Sequence, residues 1–182
     1  VKEICLTTLV EVLDTAVKIG LGAIITAFAT HWHTKQKDKS ESAREYEKRH
    51  RTLLEQVAEQ TEQLNHVYLK YWALVVEWVR FTKNGKDWPP SRRDELEEVK
   101  VELFTTFGSL TNAESKLLLV GEVEAYNKLR ELGEAVVQFR RSCYVDKPSL
   151  TEDEIEKKKS DIKQLREELY KLLSQTYQTN FT

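Results

Sequence analysis

The sequence predicts an all-α protein: an N-terminal transmembrane helix continuing into a long stalk helix, then an antiparallel helical bundle. Three observations lead there. Between Gly22 and Gly85 the chain runs 62 residues without glycine or proline, and chain breakers this scarce imply one long helix. At ~1.5 Å per residue it would reach roughly 90 Å, more than one globular core needs. Across 182 residues there are only 6 Gly and 3 Pro, with 32% charged side chains, the composition of helices rather than sheets. No segment shows the two-residue alternation of a strand, whereas helical spacing of apolar residues recurs throughout.

The first element carries two opposed stripes. Val10, Leu13, Val17, Leu21, Ile24, Phe28 and Trp32 follow steps of three and four and form an apolar face. Glu11, Asp14, Lys18, Gly22, Thr26, Thr30 and His33 form a polar or small face. Residues 19–34 have no formal charge with neutral histidines, and extending back to Val12 reaches bilayer-spanning length. That extension admits Asp14 and Lys18, which stand at i and i+4 and can pair. In a membrane, Leu13, Val17, Leu21, Ile24, Phe28 and Trp32 would face lipid. The polar face, Glu11 to His33, could be sheltered by turning copies inward around a lumen, and Gly22, Thr26 and Thr30 permit close helix contact.

Lys35, Lys37, Lys39, Arg44, Lys48, Arg49 and Arg51 follow this segment, against only Lys2 and Lys18 before or within it. The positive-inside rule puts the N-terminus outside and the remaining chain in the cytosol. Residues 1–34 are thus expected to be the membrane helix, 35–52 a charged stalk, and 53–182 the cytosolic bundle. The same stripe could instead bury Leu13 to Phe28 in a soluble bundle.

From Leu54 a strict heptad runs through Val57, Thr61, Leu64, Tyr68, Tyr71, Val75 and Trp78, with Trp72, Leu74 and Val79 widening it. Asn84 to Ser91 (NGKDWPPS) is the first strong break. Ser91 is the expected N-cap of the next helix, which carries Leu96, Val99, Leu103, Phe107 and Leu110. Thr111 with Glu114 resembles a capping box and predicts a new helix, whose face reads Leu118, Gly121, Ala125, Leu129, Leu132, Val136, Phe139 and Cys143. Gly121, Ala125 and Gly133 suggest close helix approach. Pro148 sits in a loop, and Thr151 with Glu154 opens a last helix bearing Ile155, Ile162, Leu165, Leu169 and Leu172.

Little of this points to chemistry. A net charge of -2 disfavours general nucleic-acid binding. Cys5 and Cys143 form no disulfide framework and read as reduced thiols. His31 and His33 lie on different helix faces, so no metal site is expected within one chain. No Ser-His-Asp order, phosphate loop or CxxC pair occurs, and no cofactor, small-molecule substrate or enzymatic activity is expected.

Arg44 and His50 form an R-x5-H spacing. It resembles the R-x(4–6)-H motif of the HEPN ribonuclease superfamily, whose members are helical bundles and use this pair on RNA phosphate. Glu45 and Glu47, beside the pair, would repel phosphate. The full layout, with the polar stripe and Arg44 and His50, resembles the small membrane accessory proteins of type VI-B CRISPR loci. That resemblance implies a homo-oligomeric ring in the bacterial inner membrane. The ring would depolarise the membrane in antiviral defence, alongside an RNA-guided nuclease complex, with membrane lipid as its other partner. In that arrangement Trp72, Trp78 and Trp88 would be candidate contacts between bundles. The alternatives are a single-span anchor carrying a helical scaffold or sensor, and a HEPN-type RNase acting through Arg44 and His50.

Overall fold

A computed structural model describes residues 44–179 of the chain. The chain divides into two units between Lys48 and Arg49. Of the first, residues 44–48 are described and are helical; the second holds the bundle. The helices are α1 (residues 44–83), α2 (Pro90–Leu119), α3 (Val123–Ser142) and α4 (Glu152–Thr179). Among the described residues there is no strand. The segment expected to cross the membrane, and the expected stalk as far as residue 43, lie outside the described residues.

Cross-helix pairs fix the topology. Arg92 pairs with Glu77 at 2.6 Å and Lys70 with Glu102 at 3.1 Å, so α1 and α2 run antiparallel. Arg80 meets Glu152 at 2.9 Å and Arg166 meets Glu62 at 2.7 Å, which sets α4 antiparallel to α1. Lys128 reaches Glu168 at 3.0 Å, and α3 is antiparallel to α4. The result is an up-down-up-down bundle with α1 and α3 parallel across the diagonal.

The α1 heptad is the heart of the core. Leu54, Val57, Thr61, Leu64, Tyr68, Tyr71, Val75 and Trp78 are all buried, as are Leu74 and Val79. Thr61 is tolerated there because its Oγ1 donates to Val57 O at 2.8 Å, satisfying the hydroxyl inside its own helix. In α2 the buried row is Leu96, Val99, Leu103, Thr106, Leu110, Ala113 and Leu117. Thr106, not Phe107, takes the fourth place, with its hydroxyl on Glu102 O at 2.8 Å; Phe107 is half-buried at the helix edge. In α4 the buried residues are Ile155, Ile162, Leu169 and Leu173, with Leu165 and Leu172 half-buried.

Two expected boundaries move. Pro90, not Ser91, opens α2: it occupies the first helical position, where a missing N–H costs nothing. No new helix begins at Thr111. Its Oγ1 donates to Phe107 O at 3.2 Å, four residues back, instead of capping a helix start. The buried row continues through Ala113 and Leu117, which holds the helix straight across. The true break is Gly121, at φ 82. There Glu122 N donates to Leu117 O and Gly121 N to Leu118 O, the paired bonds of a Schellman stop. Gly85, at φ 64, ends α1 identically, with Lys86 N on Phe81 O and Gly85 N on Thr82 O. At α4, Thr151 Oγ1 accepts from Glu154 N at 3.2 Å, the expected cap.

Gly133 does permit close approach: a Cβ there would stand 2.7 Å from Leu110 Cδ2. Because Leu110 is itself buried against α3, Gly133→Val is expected to lower the unfolding free energy by ~1–3 kcal/mol through overpacking. Denaturant titration measures this, and unchanged stability would mean the α2–α3 contact yields easily.

Candidate functional site

The sequence-derived lumen set (Glu11, Asp14, Lys18, Gly22, Thr26, Thr30, His33) and lipid-facing set (Leu13, Val17, Leu21, Ile24, Phe28, Trp32) lie outside the described residues. Among the described residues no helix is long and apolar enough to cross a membrane.

Arg44 belongs to the first unit and is exposed. His50 is buried at 8% exposure, its Nε2 3.8 Å from Glu122 Oε1. Glu122 Oε2 in turn accepts from Thr176 Oγ1 at 2.8 Å. This node joins the start of α1's buried part to the α2–α3 turn and the last turns of α4. A carboxylate facing the imidazole suits a structural tie better than contact with a phosphate. His66, the other described histidine, is exposed on α1.

The buried polar groups of the core are equally structural. Tyr68 and Tyr71 pack edge-on against Phe139, with centroids 5.2 and 6.2 Å apart. Tyr71 OH donates to Cys143 O at 3.1 Å, tying α1 to the end of α3. Cys143 is fully buried, and that burial pushes its thiol up from its ordinary range. Among the described residues no group of His, Cys, Asp and Glu side chains could hold a metal ion.

Trp78 and Trp88 are buried in their own bundle, so they are not contacts between copies. The heptad that placed Trp78 inward is the reason for the first. Trp88 is folded in by the 84–89 turn and stacked beneath Arg93, 5.9 Å from its ring. Trp72 is half-buried, with Lys159 Nζ 3.4 Å from its ring centroid.

The concave surfaces are modest. A groove of about 500 Å³ runs between α2 and α3 over Phe107, Leu110, Gly133 and Val137. A smaller one of about 320 Å³ lies between the end of α1 and the α3–α4 loop. The first is also lined by Thr111, Glu114, Arg130, Glu134, Gln138 and Arg141, the second by Lys83, Lys147 and Glu152.

The outer surface is uneven. Val101, Phe104, Leu118 and Leu119 on α2 are 67%, 74%, 50% and 79% exposed, and Val123 follows them across the turn. Leu103 to Ala113 carries no charge at all, in a chain where 32% of residues are charged. Sequence reading followed the inward row of α2 and passed over this second row. The signal was present: apolar and small residues one position off the core row, without charges between them.

No family model, no curated protein and no solved structure matches this chain.

Burial raises Tyr71 to about 12 and Tyr68 higher still. Both hold their protons more tightly folded than unfolded. Their contribution is therefore fully present below the ordinary tyrosine value of 10.0 and lost as pH rises through the folded values. Stability is expected to be level with respect to these groups up to that value and to fall above it. Tyrosinate absorbance from the two rings should appear together with loss of helical signal; ionisation with the bundle intact would contradict their burial.

Proposed function

We propose that this chain is a membrane-anchored helical interaction module. Its N-terminal segment supplies a single-span anchor and its bundle presents a protein-docking face. The observation that carries this is the cluster of outward apolar residues on α2: Val101, Phe104, Leu118 and Leu119. Contiguous apolar exposure on a well-packed domain marks a surface meant for contact. The anchor rests on the charge-free stretch of residues 19–34 and on the cations that follow it.

A second reading is favoured by the polar stripe from Glu11 to His33. Enough copies side by side would close that stripe around a lumen, giving an ion-conducting inner-membrane ring. Asp14 and Lys18 would line it. By resemblance, such a ring would depolarise the membrane during antiviral defence, together with an RNA-guided nuclease. The bundle needs no active site in either reading.

The test uses the full chain. It is expected to stay with membranes through an alkaline carbonate wash, and release into the wash would overturn the anchor. Reconstituted in liposomes, a ring is expected to leak ions, and Asp14→Leu with Lys18→Leu should abolish the leak. Retention without leak supports the anchored module against the pore. RNA cleavage lost in both Arg44→Ala and His50→Ala would replace the two readings with a nuclease.

A further inference from the structure

We draw no further inference here: the strongest candidate, the groove of about 500 Å³ between α2 and α3, floored by Phe107 and Val137 and rimmed by Arg130, Glu134 and Arg141, is an unpartnered surface, and nothing in the structure shows what covers it.

Discussion

The row from Leu54 to Trp78 on α1 is the surface onto which the other helices close, and most of the structure follows from it. Helices of 30 and 28 residues such as α2 and α4 owe little of their stability to propensity in water. What holds them is the burial of one face against a partner. α1 offers that face to all three: ion pairs tie it to α2 and α4, and Tyr68 and Tyr71 reach across the centre to Phe139 of α3. Tyr71 also carries a hydroxyl into the core and discharges it on the Cys143 carbonyl, just where α3 ends. The aromatic layer thus sets both the spacing of the diagonal helices and the point at which the chain leaves α3.

Much of this was readable before any coordinates. The alternation of three and four on α1 depends only on side-chain polarity, and every member of that row is inside. Gly85 and Thr151 were legible because turn and cap chemistry is local. The failures came where a local signal competes with a longer one. Thr111 and Glu114 carry the letters of a cap, but the hydroxyl bonds backward and the apolar row runs on through Leu117. Gly121 was taken as a small packing residue because it continues a helical face on paper; its positive φ makes it the stop instead. Phe107 looked like core by hydrophobicity, yet geometry gave the inner place to Thr106, whose hydroxyl could be satisfied within the helix.

The candidate sites were less legible than the fold, for a physical reason. Spacing along a helix locates a face but does not say what covers it. His50 proves to be enclosed beside Glu122, which the R-x5-H spacing could not reveal. Trp78 and Trp88 were offered as candidate contacts between bundles, whereas the heptad and the 84–89 turn bury both. The outward row of α2 went unnoticed for the opposite reason: its glycine, threonines and serine look like ordinary surface. Only their exposure, together with Val101 and Phe104, shows that this surface lacks charge.

The groove between α2 and α3 is floored by Phe107 and Val137 and rimmed by Arg130, Glu134 and Arg141, so it combines an apolar floor with mixed charge. It meets the outward row of α2 at Thr111, which lines the groove and is exposed, so the two surfaces of this helix share an edge. Occupation of one would bear directly on the other, because both are built on the same rigid, fully helical stretch of α2.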